Sequence, residues 1–306
     1  SLARKSGMKL SEYGLFKMEG EERVPCGSEE EIFRALGLAY IEPELRENMG
    51  EMEAAAEGRL PRLLETGDLR GIVHMHSTYT DGRATIEEMA RAARKLGFSW
   101  IAMTDHSQAV SIAGGMKPEE LVRQTEEIEE LNSRLEGFRV MKGVEVDIMP
   151  DGSLDFEGEL LSKLDLVIAA VHSRFGMSEK DMTERIVRAL SNPHVDVLAH
   201  PTGRLLLSRE PYAVDMHAVI EAAAKNGKAI EINAHPQRLD LDWRWCKAAK
   251  DAGVKIAISP DAHSPESLSD VAYGVGIARK GWLERGDVIN CLEAGELVSL
   301  FSGRKR

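Results

Sequence analysis

The residues with most chemistry in them open on a short apolar run, Gly71-Ile72-Val73, which ends in His74-Met75-His76. An acid, Asp81, follows five residues after the second histidine, beside Gly82. On a strand, residues i and i+2 point to one face, so two imidazoles can aim at one point. That arrangement suits a metal ion, and Asp81 in a glycine-containing turn can come back over it as an oxygen ligand. Two solvated or core histidines would give the same short motif, so the remaining histidines decide between the readings.

Seven apolar runs recur along the chain, at 71–76, 98–104, 139–146, 165–171, 195–199, 228–232 and 254–259. Amphipathic stretches lie between them at about 85–96, 118–135, 178–191, 211–226 and 242–252. Strands alternating with helices imply parallel βαβ units, and seven of them predict a closed or nearly closed α/β barrel. Each run ends in polar residues. After His74-Met75-His76 come Thr104-Asp105-His106, Glu145-Val146-Asp147, His172-Ser173-Arg174, His200-Pro201, Glu231-Ile232-Asn233-Ala234-His235 and Asp261-Ala262-His263. In a parallel barrel the C-terminal strand ends share one rim, and that rim carries the chemistry. Seven of the nine histidines and at least three carboxylates would therefore meet at one mouth.

Histidine with carboxylate suits Zn²⁺, Mn²⁺ or Fe²⁺, and the lack of thiolates at these ends argues against a structural zinc. A bridging carboxylate can hold two such ions and clamp a phosphate for in-line attack. The sequence has no nucleophile elbow, no Walker A loop and no Gly-x-Gly-x-x-Gly after a strand. The simplest nucleophile is then metal-bound hydroxide.

The bulk properties narrow the class. A chain of 306 residues with 43% hydrophobic content can bury a large core. A net charge of -12 argues against a broad nucleic-acid-binding face, although bound cations invert local charge. Cys26, Cys246 and Cys291 are far apart and read as free or buried thiols in a reducing compartment. No apolar run reaches the length of a membrane span and no signal peptide is evident, so a cytoplasmic location is expected, with no membrane partner. The chain does not begin with methionine and reads as truncated or processed.

Residues 1–48 read as a small α+β module. It has a strand at 12–16 and a helix at 32–36, opened by the Ser28-Glu29-Glu30-Glu31 capping box and closed by Gly37. Residues 49–69 read as a linking helix interrupted by Pro61, and 70–306 as the barrel domain. One more helix is expected within 282–301, then a frayed tail, Ser302-Gly303-Arg304-Lys305-Arg306, for whose basic end a DNA-backbone contact is the lesser reading. Lys9 and Lys17 are too few to make a binding patch.

At these motifs the sequence resembles the PHP (polymerase and histidinol-phosphatase) domain. His74-x-His76, Asp81, Thr104-Asp105-His106, Gly143-Val144-Glu145, His172, His200-Pro201 and Asp261-Ala262-His263 follow its motifs in order over roughly residues 68–300. The resemblance implies a distorted, TIM-like (β/α)7 barrel with three divalent ions. Mn²⁺ would serve activity, with Zn²⁺ or Fe as the other candidates. It implies that His74, His76, Glu145 and Asp261 hold one ion, that Glu145, His172 and His200 hold a second, and that Asp81, His106 and His263 hold the third.

The branch most resembled is the C-terminal half of bacterial and archaeal family X DNA polymerases. Ser11-Glu12-Tyr13-Gly14-Leu15-Phe16 and the stretch from Glu29 to Glu47 look like the end of that polymerase's thumb. Its palm would precede residue 1, and Asp240-Leu241-Asp242 is a loop rather than a polymerase site, so no polymerase activity is expected. The resemblance implies a 3′→5′ exonuclease on single-stranded or gapped DNA ends in repair, with 3′-phosphatase or abasic-site cleavage as further activities. A polymerase catalytic half would be its partner. The alternative is a phosphomonoesterase for small esters such as histidinol phosphate or a nucleotide. A non-catalytic scaffold is the third reading.

Other residues carry expectations of their own. Glu145, His74 and Asp261 are placed in catalysis together with Arg174. Arg174, Arg204, His235 and Arg238 follow strand ends and are expected to contact substrate, with Arg174 and Arg204 gripping its phosphate, which arginine binds in a bidentate way. Arg209 lies in the same loops. Asp105 reads either as an acceptor orienting an imidazole or as a helix cap, and Asp147 as a rim carboxylate or a solvated acid. His194 and His217 read as structural.

Overall fold

The computed structural model describes residues 2–302; the basic tail at 303–306 lies outside them. The chain divides into two compact units, Ser1–Arg62 and Leu63–Arg306.

In the first unit, helix α1 (Leu2–Lys5) precedes an antiparallel hairpin, β1 (Met8–Ser11) and β2 (Gly14–Lys17). The expected strand at 12–16 is thus the second arm, and residues 12 and 13 form its turn. Ser28 caps α2 (Glu29–Ala35), its Oγ accepting from Glu31 N at 3.4 Å, and Gly37 ends it with φ +74°. Arg46 holds the exit: its guanidinium donates to both oxygens of Glu29 at 2.7 and 2.9 Å and lies over the Phe33 ring. Leu15, Ile41 and Leu45 are buried here. The stretch expected as a linking helix is shorter than its alanine content implied. It forms α3 (Glu51–Ala56), and from Leu63 onward the chain belongs to the second unit.

The second unit has seven strands: β3 (Gly71–Ile72), β4 (Trp100–Met103), β5 (Arg139–Asp147), β6 (Leu166–Ala170), β7 (Val197–Leu198), β8 (Ala229–Asn233) and β9 (Ile256–Ser259). They pair in chain order and all in parallel. Helices cross between them: α4 (Ile86–Lys95), α5 (Pro118–Arg134), α6 (Gly158–Leu161), α7 (Glu179–Leu190), α8 (Met216–Asn226) and α9 (Trp243–Asp251). After β9 come α10 (Val271–Lys280) and α11 (Ala294–Ser302). The fold is a nearly closed (β/α)7 barrel.

The seam between β9 and β3 closes by other means. At the C-terminal rim, His76 N donates to Ala262 O at 2.8 Å and Ala262 N to His74 O at 3.2 Å. Lower down, the buried Asn290 side chain bonds Gly71 O and both backbone groups of Ile258. The edge strands therefore leave no open ladder there.

Strand alternation separates two cores. Ile101, Val144, Ile230 and Ile258 face the helices, while Trp100, Leu166, Ala102, Ala170, Ala199, Ala229 and Ala257 fill the barrel with Leu297 and Phe301 of α11. The alanine-rich interior is narrow, which draws the next inward positions, Glu145, Glu231 and Ser259, close together at the rim. Helix α10 carries little helical signal because of Gly274 and Gly276. Its reason is packing: a Cβ at Gly274 would lie 2.6 Å from Ile258 Cγ2 and 2.8 Å from Ala234 Cβ.

A candidate metal centre at the barrel mouth

Glu145, at the upper end of the longest strand, is fully buried and is the focus of the mouth. Its Oε1 lies 3.3 Å from His74 Nε2, 3.3 Å from His172 Nε2 and 3.0 Å from His200 Nε2. Its Oε2 lies 2.8 Å from His106 Nδ1 and 3.7 Å from His76 Nε2. Asp261 Oδ1 stands 3.2 Å from His76 Nε2 and 3.5 Å from His74 Nε2. Asp81 Oδ2 stands 3.2 Å from His263 Nε2 and 3.7 Å from His106 Nε2. The His76 ring lies 4.3 Å, centroid to centroid, from the rings of both His106 and His263.

All nine residues named from the motifs therefore meet. They form four overlapping groups: His74, His76 and Glu145; His74, His200 and Asp261; His106, Glu145 and His172; and His76, Asp81, His106 and His263. The grouping differs in detail from the one the resemblance implies. His200 reaches the Asp261 side, and His106 joins His172 at Glu145.

The donor set fits cations. His76 Nδ1 and His200 Nδ1 are buried with no hydrogen-bond partner, and His74 Nε2, His76 Nε2, His106 Nδ1 and Glu145 Oε2 are buried close to opposite groups without hydrogen-bond geometry toward them. Burying such groups unpaired is costly unless a cation takes their lone pairs. Nitrogen and oxygen donors without thiolate suit Mn²⁺, Zn²⁺ or Fe²⁺.

Three imidazoles are oriented from behind. His74 Nδ1 lies 2.5 Å from Glu231 Oε1, His172 Nδ1 lies 3.0 Å from Asp147 Oδ1, and His263 Nδ1 lies 2.8 Å from Asp261 O. Each acceptor holds a proton on Nδ1 and leaves Nε2 free for the centre. Glu231 opens the sixth strand end, Glu231-Ile232-Asn233-Ala234, where no role was expected of it. Its signal was its inward position two residues before Asn233, whose amide donates to Asp261 Oδ2 at 3.0 Å.

Asp105 orients no imidazole and caps no helix. It is buried and accepts from Ser77 N at 2.7 Å, Ser77 Oγ at 2.7 Å, Thr80 Oγ1 at 2.6 Å and Gln124 Nε2 at 2.6 Å. It thereby pins the loop that carries Asp81. Gly82 lets that loop fold back, since a Cβ there would meet His76 O at 2.4 Å. Asp147, 3% exposed, is the acceptor for His172 and not a solvated acid.

Backbone strain collects at the same place. His74, His200 and Asp261 have φ of +60°, +25° and +52°. Non-glycine residues there cost roughly 1–3 kcal/mol each and persist where function over-determines them.

The expected substrate contacts separate. Arg238 stays beside the centre, its Nε 3.5 Å from Asp261 Oδ2 and its Nη1 buried without a partner. Arg204 does not offer its guanidinium to the mouth. It donates to Arg238 O at 2.8 Å, to Asp242 Oδ2 at 2.9 Å and to Leu239 O, so it pins the 238–242 loop. His235 caps a local turn, its Nδ1 accepting from Gln237 N at 3.2 Å. Arg174 is exposed, with φ +57°, and is not among the residues lining the cleft beside the centre. His217 packs edge-on against Trp245, 4.9 Å between centroids, as a structural residue does.

Electrostatics follow the geometry. Burial opposes protonation of His172, but Glu145 and Asp147 outweigh it and hold its pKa up at about 9. Burial likewise opposes charge on His263, and Asp81 and Asp261 hold it at about 9. Burial and the Arg238 guanidinium push His200 down to about 4. Burial raises Glu145, yet His74, His106 and His172 bring it well below the ordinary carboxylate range.

A parallel barrel with this mouth defines a class, the metal-dependent phosphoesterases. The chain belongs to the PHP domain family, whose profile matches residues 73–235, and the profile of the DNA polymerase beta thumb matches residues 1–47. The chain is 44% identical over 289 residues to the DNA polymerase/3′-5′ exonuclease PolX of Bacillus subtilis (strain 168). That match covers 94% of this chain and 50% of the relative, so the chain spans half the relative's length. A probable phosphatase of Thermoanaerobacter sp. (strain X514) is 31% identical over 245 residues, 76% of this chain and 94% of the relative. Among solved structures, histidinol phosphate phosphatase from Lactococcus lactis, complexed with Zn, L-histidinol and phosphate, aligns with a TM-score of 0.49 and 16% identity. That alignment covers 68% of this chain and 94% of that one. No helix among the described residues is long and apolar enough to cross a membrane.

Proposed function

We propose that the protein hydrolyses phosphodiesters at DNA 3′ ends as a 3′→5′ exonuclease serving DNA repair. The observation that carries this reading is the pairing in one chain of the donor cluster around Glu145 with a module matching a DNA polymerase thumb. The similarity to PolX of Bacillus subtilis along nearly the whole chain supports it. A polymerase half supplied beyond this chain would be its partner.

The nine residues His74, His76, Asp81, His106, Glu145, His172, His200, Asp261 and His263 would hold three divalent ions, with Mn²⁺ assigned to activity and Zn²⁺ or Fe as substitutes. Bound ions supply Lewis acidity and an activated water near neutral pH. The chain's own residues do the rest. Glu145, with histidines facing both oxygens, keeps the sites together. Glu231, Asp147 and the Asp261 carbonyl hold the Nδ1 protons, so each Nε2 stays available. Arg238 lines the cleft beside the centre and its Nη1 has no hydrogen-bond partner; of the three arginines expected to contact substrate, Arg174, Arg204 and Arg238, we assign to it alone the contact with a non-bridging phosphate oxygen. Attack at phosphorus breaks the bond to the 3′ oxygen of the penultimate residue and releases a nucleoside 5′-monophosphate.

Hydrolysis of small phosphate esters is the second reading, favoured by the match to nearly the full length of a probable phosphatase. Purified protein with Mn²⁺ and 5′-labelled single-stranded or gapped DNA should give a ladder shortening from the 3′ end. Rapid turnover of a phosphomonoester panel with no DNA ladder would reverse the assignment.

A further inference from the structure

Beside the centre lies a cleft of about 520 Å³, lined on one side by His172 and His200. The volume suits one small organic body and far exceeds a phosphate group. Arg238 and Arg209 also line it. Asp147, the acid among the lining residues, is bonded to His172, which leaves the two guanidiniums to set the charge.

The rest of the cleft is apolar and planar in character. Arg209 is held flat, its guanidinium carbon 4.2 Å from the Phe175 centroid and its Nε donating to Gly203 O at 2.9 Å. Ile112 lines the opposite loop, after β4, and is 97% exposed. The tight turn closed by Leu205 and Arg209 brings both of these residues to the cleft wall. Ile112 on one loop and Leu205 on the other give the cleft an apolar edge beside its two guanidiniums. An occupant must be anionic where it meets Arg238 and the centre, and flat-faced where it meets Arg209 and Phe175. Bases stack on arginine planes and aromatic rings and are read this way when unpaired.

We propose that the cleft holds the nucleoside of the DNA 3′-terminal residue, unpaired and stacked on the Arg209–Phe175 pair, with Ile112 and Leu205 flanking it. This inference rests on the exonuclease reading.

The test is a cycle of enzyme and substrate changes. Oligonucleotides ending in a normal nucleotide or in a base-free tetrahydrofuran residue are cut by the wild type, by Arg209→Lys and by Ile112→Ala. Loss of the terminal base should lower wild-type kcat/KM about tenfold, the scale of one stacked base. In Arg209→Lys, which keeps charge but not the plane, the base should matter less than threefold. Ile112→Ala cannot disturb a core and should show a smaller loss in the same direction, mainly in KM. Equal wild-type rates on both ends, or independent losses that simply multiply, overturn the cleft assignment while leaving the exonuclease in place. A wild type that cuts neither end but hydrolyses phosphomonoesters overturns the exonuclease reading, and the cleft assignment with it.

Discussion

Glu231 Oε1 lies 2.5 Å from Nδ1 of His74, with both side chains fully buried and 157 residues apart in sequence. The same carboxylate accepts from Ser259 Oγ and, through Oε2, from His200 N at 2.7 Å. One acid behind the centre thus aligns two candidate ligands. Glu231→Gln should weaken metal affinity roughly 10–100-fold, the usual loss when such an acceptor is altered. Metal titration against a chelator of known affinity measures it, and unchanged affinity would refute the role.

Glu145 and Asp81 should differ in how many ions they release. Glu145 faces five histidines across its two oxygens, whereas Asp81 faces His263, His106 and His76 on one side. Glu145→Ala is expected to lose two ions per chain and Asp81→Ala one, by elemental analysis of the purified proteins. Full metal content and activity in Glu145→Ala would end the proposed mechanism.

Arg238→Lys should lower kcat/KM about tenfold or more with metal content intact, because a bidentate phosphate donor becomes a point charge. Arg174→Ala should stay within about twofold of wild type, since Arg174 is exposed and does not line the cleft. The reverse ranking would restore the first expectation.

Asp105→Ala would leave four buried or half-buried donors without their acceptor. Each unsatisfied group costs about 1–3 kcal/mol, so a loss of at least about 3 kcal/mol is expected in denaturant unfolding. The ion at Asp81 should go first, because Asp105 holds that residue's loop.

The metal-free protein should respond to pH through His172 and His263. Both have folded pKa values raised to about 9 against an ordinary 6.5. A raised value means their stabilisation is complete below about pH 6.5 and is lost as pH climbs through 9. In the presence of chelator, Tm should therefore fall between pH 7 and 9.5. Ions must displace those same protons, so metal affinity should rise over the same interval. A chelated protein whose Tm is flat there would contradict the assignment.

Much of this protein was legible in the chain itself. Strand alternation and capping signals are local, so six of the strands and the helices at 86–95, 118–134 and 179–190 fall within a residue or two of expectation. The first strand, expected at 71–76, stops at Ile72, and His74 leaves it with φ +60°, so His74 and His76 meet the centre from a loop and not as strand neighbours. The histidines at strand ends are also local, because a parallel barrel needs only strand direction to bring its ends to one rim. The structure put all nine together on that ground.

What stands behind the mouth was not legible, because it depends on depth and rotation across strands distant in sequence. Asp105, Asp147 and Glu231 are alike as letters near strand ends. Only the packed barrel makes one a loop anchor, one the acceptor for His172 and one the acceptor for His74. The arginines behave the same way. A guanidinium reaches several ångströms, and tertiary neighbours decide where it bonds: Arg204 turns back to its own loop, while Arg238 keeps a free donor at the centre. By itself the sequence determined which residue types collect at the mouth, through strand direction and two-residue alternation. The tertiary structure alone decided which of them face one another, because that is set by a narrow alanine-lined barrel closing Glu145, His74 and Glu231 into contact.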